Sequence, residues 1–383
     1  MTTGTDREPV FPPPIGREAA FVEFTYSRRF PKIAQQASAV LSADASQTLH
    51  ALVRTIIAGG AVDSSAWARP TQFWSEYLDA RARATWAELP FFDAEFLFYH
   101  AINSLSHWFT GGVDAFRSIR REAIESGLAK WSSAAGTPSL AQAVWAALLA
   151  NEADYSLLSV SDAASDGWHE RLVVDDRAQL LDSLAPGGHS VHIVADNAGP
   201  ELLADLALVD VLLTSTAAAR VTMHCKPCPM FVSDALIEDA EFAITALANS
   251  EQRSLAGLGA RLQHAQRAQR LLLEAHVAWG EPRHFHQLPP ELTRELANSN
   301  LVIAKGDLNY RRFVGDRAWP ATTDFSAVTP AVPFDAFALR VLKSDALVGV
   351  SNAAAARAAR TSAAWRTDAS HALIQKIAAR PRA

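Results

Sequence analysis

Two apolar runs of strand length each stop in a dense polar cluster, and this pattern constrains the fold more than any other feature of the chain. Leu301-Val302-Ile303-Ala304 runs into Lys305-Gly306-Asp307-Leu308-Asn309-Tyr310-Arg311-Arg312, and Val191-His192-Ile193-Val194-Ala195 into Asp196-Asn197-Ala198-Gly199. Core packing has no use for such side chains. In an open α/β sheet, ligands sit outside the carboxyl ends of the strands. The two ends predict one shared site, rich in phosphate-binding cations and metal-binding carboxylates.

The texture of the chain changes near residue 165. Before it, apolar residues recur at three- and four-residue spacing over 33–41, 49–57, 70–89, 90–105, 113–127 and 140–150, which predicts helices. After it, strand candidates at 171–175, 191–195, 220–224, 300–304, 346–350 and 372–374 alternate with helix candidates at 201–213, 237–248 and 254–279. Such alternation predicts a mostly parallel sheet with helices on both faces. The expected fold is α/β. It is a three-layer α/β/α core over 166–383, preceded by a helical amino-terminal domain over 21–165 and a loose, proline-rich arm over 1–20.

Composition narrows the function. Hydrophobic residues make up 49% of the 383, enough for a large core, and the formal net charge of -6 comes without a basic block. Nucleic acid is thereby disfavoured as a partner. Cys225 and Cys228 are the only cysteines, so a disulfide framework is excluded and a reducing, cytoplasmic setting is expected. Their CxxC spacing is half of a zinc site at best and reads as two packed thiols. No apolar run approaches the roughly 20 residues of a membrane span.

Taken singly, the polar residues leave more than one reading open. Asp196 and Asn197 offer an oxygen pair for a hard cation such as Mg²⁺ or Mn²⁺, and Asp234 would add a third oxygen if its segment lies alongside. Asx residues at a helix start are also the commonest caps, and capping is the commoner use. Lys305 and Arg311 are phosphate-binding types, and Asp307 and Asn309 suit sugar hydroxyls. Lys343 reads as a surface cation by itself. His224, His284 and His286 read as ordinary histidines.

These motifs together resemble the damage-control metal phosphatases, also called domain of unknown function 89, in the subgroup described around acidic residue methyltransferase 1. The resemblance rests on Asp196-Asn197-Ala198-Gly199, on His224 through Asp234 ending in Phe-Val-Ser-Asp, and on Lys305 to Arg311 with Gly315-Asp316-Arg317 after it. It extends to Arg29-Phe30-Pro31-Lys32, to Trp86, Pro90, Glu95 and Tyr99, and to Asn151–Ser156.

The resemblance implies a divalent-metal-dependent phosphatase acting on phosphate monoesters, with Mn²⁺, Mg²⁺, Co²⁺ or Ni²⁺ as cofactor and a small phosphorylated metabolite, notably a fructose phosphate, as partner. It implies metal ligation by Asp196, Asn197 and Asp234. It implies substrate binding by Asp307, Leu308, Asn309, Tyr310 and Arg311, and by Lys343 in an Arg-Thr-x-Lys motif that begins at Arg340. Lys305 is expected to share the neutralisation of phosphoryl charge, and Asp196, Asn197, Asp307 and Lys343 to carry catalysis. Attack by Asp196 itself, through an aspartyl-phosphate, is the lesser alternative to attack by water. Two departures stand out. Val341 occupies the Thr place of Arg-Thr-x-Lys, and His100 occupies a place where Arg is usual. An S-adenosylmethionine-dependent protein carboxyl methyltransferase is the first alternative, although Gly199 is the single glycine before its helix. A non-catalytic sugar-phosphate sensor is the second.

Overall fold

The computed structural model describes residues 12–131, 138–150, 170–328 and 332–380. Seven strands form one sheet in the order β1-β7-β6-β5-β2-β3-β4. They span Leu172–Asp175 (β1), His189–Val194 (β2), Ala218–His224 (β3), Leu271–Glu274 (β4), Leu301–Lys305 (β5), Ala336–Val341 (β6) and Ala372–Ile377 (β7). All neighbouring pairs are parallel except β6 and β7. The mostly parallel α/β sheet expected from the alternation is therefore present.

Strand residues alternate between two cores. Val302 and Ala304 enter one apolar cluster, Leu301 and Ile303 the other. The second cluster is closed by the Pro200–Thr214 helix through Leu202, Leu203 and Leu206. The first is shared with the amino-terminal helices: Phe30, Phe98, Tyr310 and Phe313 belong to one continuous cluster. Phe30 and Phe98 stack at 4.0 Å. The helical part thus packs directly on the sheet.

Topology places the site. The chain leaves β2 for β3 and β4 on one side, then returns to β5 on the other side of β2. The carboxyl ends of β2 and β5 flank the point where strand order reverses, which is where α/β sheets bind ligands.

Four expectations need correction. Residues 254–279 are not one helix. The Arg253–Arg267 helix ends at a turn with Gln269 at φ 55°, and β4 follows. The leucines of this edge strand mimic a continuing helical stripe. Residues 346–350 form no strand but bond to a loop, Gly349 N–H to Thr323 O and Val350 N–H to Ala321 O. The strand in this part of the chain is β6, between β5 and β7, whose burial on both faces removes the alternation that would mark it. The 70–89 helix stops at Ala80. The arm is also less loose than expected. Ile15 is buried, donates to Asp316 O and accepts from Phe91 N–H.

Candidate active site

Asp196 and Asn197 follow β2 on the turn into the Pro200–Thr214 helix. The segment after β3 lies beside them. Ala198 N–H donates to Ser233 O at 2.6 Å, Ala235 N–H donates to Asp196 O at 2.8 Å, and Asn197 and Asp234 form an antiparallel bridge. The three residues expected to share a cation are therefore neighbours. The Asp196 carboxyl lies against the start of the helix after β5. A Cβ on Gly306, at φ +80°, would sit 1.9 Å from Asp196 Oδ2, so only glycine fits there.

Asp234 is aimed inward by a strained turn. Phe231 and Val232 both have left-handed backbones, at φ 51° and 68°. For non-glycine residues this costs about 1–3 kcal/mol each. The helical part holds the turn: the Phe231 ring packs 5.3 Å from Phe96 and 5.0 Å from Tyr99.

This wall of the site carries more negative charge than its neighbours balance. Burial, then the charges of Glu201 and Asp234, push the Asp196 carboxyl well above the usual carboxylate range. Burial also raises Asp234, against the Lys226 ammonium 3.2 Å away. Asp234 Oδ2 is buried, and the Lys226 ammonium is its partner. Asn197 Nδ2 donates to Asp196 Oδ2 at 2.9 Å and to Glu201 Oε2 at 3.1 Å, while its Oδ1 accepts from Ser233 Oγ at 2.5 Å. Among the described residues no second donor meets that Oδ1.

The opposite wall is the helix Gly306–Val314 with the end of β6, and here the cations are balanced. Arg311 forks onto Asp316 at 2.6 and 2.8 Å and donates to Glu95 at 2.6 Å. The Arg340 guanidinium donates to Asp307 Oδ1 and to Ser344. Asp307 feels burial against ionisation, but Arg340 and Arg311 outweigh it and hold its carboxyl below the usual range. All the hydrogen bonds it accepts from Arg340, Ser344 and the Lys343 backbone fall on Oδ1.

A cavity of about 230 Å³ lies between the walls, lined among others by Asp196, Asn197, Asp234, Asp307, Leu308, Arg311 and Lys343. Four residues expected to touch substrate do not line it. Lys305 is buried and donates to Asp205 at 2.7 Å and Glu201 at 3.2 Å. Asn309 Nδ2 is spent on the carbonyls of Lys305, Ala195 and Val194. Tyr310 Oη donates to Gln375 at 2.9 Å, and the Arg340 guanidinium lies 4.4 Å from the Tyr310 ring. These side chains hold the framework together.

Other lining residues carried no role in the sequence reading: Arg29, Glu95, Glu201, Ser233 and Ser344. Arg29 ends a π-helical turn, Thr25–Arg29, a distortion common at functional sites. Its only sequence signal was its place in Arg29-Phe30-Pro31-Lys32. Arg29 and Lys343 are both exposed, and among the described residues neither cationic group makes an ion pair or hydrogen bond. Val341 lines the cavity while also belonging to the apolar core. Cys225 and Cys228 are buried free thiols pushed up to about 12 by burial, as packed, unreactive thiols should be. His100 is buried on Trp74, ring to ring at 3.8 Å. Asn151–Ser156 lie outside the described residues.

Residues 25–358 match the damage-control phosphatase ARMT1-like domain, and the chain belongs to that family. Damage-control phosphatase ARMT1 of Rattus norvegicus is 32% identical over 202 residues, covering 52% of this chain and 46% of that protein. The Xenopus laevis protein of that name is 31% identical over 240 residues, covering 59% and 54%. The human one is 32% identical over 189 residues, covering 48% and 43%. The chain thus matches about half the length of these curated relatives. A crystal structure of a DUF89-family protein from Pyrococcus horikoshii covers 87% of this chain and 98% of its own, at 15% identity and TM-score 0.48.

Proposed function

We propose that this chain is a divalent-metal-dependent phosphatase that hydrolyses phosphate monoesters of small metabolites, sugar phosphates among them. One observation carries the reading. Asp196, Asn197 and Asp234 converge on one wall of a cavity whose lining also holds two uncommitted cations, Arg29 and Lys343.

The acidic wall fits a hard cation. It gathers two carboxyls and an amide oxygen, and burial together with the charges of Glu201 and Asp234 raises Asp196. Oxygen donors of this kind select Mg²⁺ or Mn²⁺ over softer ions. A bound divalent ion would supply a Lewis acid for the phosphoryl oxygen and lower the pKa of a bound water.

The chain's own residues do the rest. Lys343 and Arg29 would meet the phosphoryl oxygens and neutralise the charge that spreads over them during transfer. Asp307 keeps Oδ2 clear of the bonds to Arg340 and Ser344 and so can accept from a sugar hydroxyl. Ser233 and Glu201 fix the Asn197 amide. Arg311 keeps Asp316 and Glu95 in place instead of reaching substrate.

The test is a phosphate-release screen over phosphorylated metabolites with Mg²⁺, Mn²⁺, Co²⁺ and Ni²⁺ in parallel, followed by chelation. The expected result is turnover of at least one sugar phosphate that chelator removes and metal restores. Turnover indifferent to chelator would overturn the metal assignment, and release from none of the phosphates would overturn the activity.

A further inference from the structure

A second polar cluster lies on the sheet face that packs against Trp279 and the Pro290–Ala297 helix, and the phosphatase reading does not use it. His192 is on β2 and His224 on β3. His192 is in register with Thr222, two residues before His224, so both imidazoles leave the same face. His192 Nδ1 lies 2.8 Å from His224 Nε2. Glu295, on the Pro290–Ala297 helix, brings Oε1 to 3.6 Å from the first nitrogen and 3.9 Å from the second. Glu274, the β4 register partner of His224, hydrogen-bonds the Glu295 carboxyl.

Without a cation this is a costly arrangement. Both imidazoles are buried, 5% and 1% exposed, and two neutral rings can share only one proton between them. Two carboxyls in hydrogen-bond contact must also share a proton, which a positive ion would replace.

The spacing suits a small ion. Ligands of a tetrahedral zinc at bond lengths of about 2.0–2.1 Å lie roughly 3.3–3.4 Å apart. The three observed separations, 2.8, 3.6 and 3.9 Å, bracket that value. Two imidazoles with carboxylate are the donors of zinc-class ions, unlike the all-oxygen set at Asp196, Asn197 and Asp234.

We propose that His192, His224 and Glu295, the last held by Glu274, bind one zinc-class transition-metal ion separate from the phosphatase site. The ion fastens the Pro290–Ala297 helix to β2 and β3. His224 lies two residues before Lys226, so the ion also braces the segment that brings Lys226 to Asp234.

Titration of the full-length chain with Co²⁺, followed by visible absorption, tests this. Tetrahedral Co²⁺ with nitrogen ligands absorbs far more strongly than octahedral Co²⁺ among oxygens. The expected result is an intense band that saturates at about one equivalent per chain and is displaced by Zn²⁺. It persists in Asp196→Asn, loses affinity on the order of tenfold or more in Glu295→Gln, and disappears in His192→Gln. Glu295 is half exposed, so the wild type and Glu295→Gln decide the matter even if His192→Gln fails to fold. The proposal is overturned if the wild type gives only a weak band, if the intense band keeps its affinity in Glu295→Gln, or if it vanishes in Asp196→Asn.

Discussion

The two walls of the cavity are built on opposite electrostatic terms. On the β2 side, Asp196, Glu201 and Asp234 crowd together, and burial, then the charges of the other two, lift the Asp196 carboxyl well above its normal range. On the β5 and β6 side, Arg311 and Arg340 are each matched by carboxylates, and Asp307 is held low by them. One wall is incomplete without a positive partner, and the other is complete already. A polar cluster in a sequence can therefore mean either a place to bind something or a network that holds the binding place rigid. Charge balance tells the two apart.

The largest effect expected is at Lys305, a buried and paired cation behind the β2 wall. Lys305→Met strands Glu201 and Asp205, and breaking a buried pair from one side costs about 3–5 kcal/mol. Urea denaturation should show a loss of that size. A variant of normal stability with only a raised KM would return Lys305 to the substrate.

The unbalanced wall should respond in the opposite sense. Asp196→Asn removes one of the repelling carboxyls, so the metal-free protein should melt at a higher temperature. Turnover should nevertheless fall by about 100- to 1,000-fold, or roughly 3–4 kcal/mol. A lower melting temperature in chelator would show that this wall is not strained, and would erase the contrast with the other.

The two unpaired cations should act on substrate and leave stability alone. Arg29→Ala and Lys343→Ala should each weaken catalysis or binding by about 2–3 kcal/mol, the value of a hydrogen bond to a charged group, with unchanged melting curves. Both groups are exposed, so KM for the wild type should also rise with ionic strength. Kinetics unmoved by either substitution would remove that residue from the site.

The smallest effect belongs to Val341, which lines the cavity from the end of β6. Val341→Thr adds a hydroxyl worth on the order of 1 kcal/mol where it meets a substrate group. Activity on fructose 1-phosphate and fructose 6-phosphate, expected to be weak in the wild type, should increase. Equal rates for both forms would show that position 341 does not select substrate.

Much of this was legible in the chain. The β2 and β5 runs, their polar ends and the meeting of Asp196, Asn197 and Asp234 followed from strand length, strand ends and a resemblance. The strands missed were β4 and β6. An edge strand of leucines lacks strand-specific periodicity, and a strand buried on both faces has no polar alternation to mark it.

The sequence by itself determined that a mostly parallel sheet would present two chemically loaded strand ends, because apolar runs of strand length and their breakers act locally. Which side chains of a loaded end face the ligand was decided only by the tertiary structure. In the Gly306–Val314 helix each residue turns about 100° from the last. Asp307, Leu308 and Arg311 therefore look into the cavity, while Asn309 and Tyr310 look into the protein. Lys305 is the last residue of β5 and points toward Asp205. Arg29 reaches the cavity from the other end of the chain because the amino-terminal helices share their core with the sheet. Periodicity fixes which residues share a face, but only packing fixes which face meets the substrate.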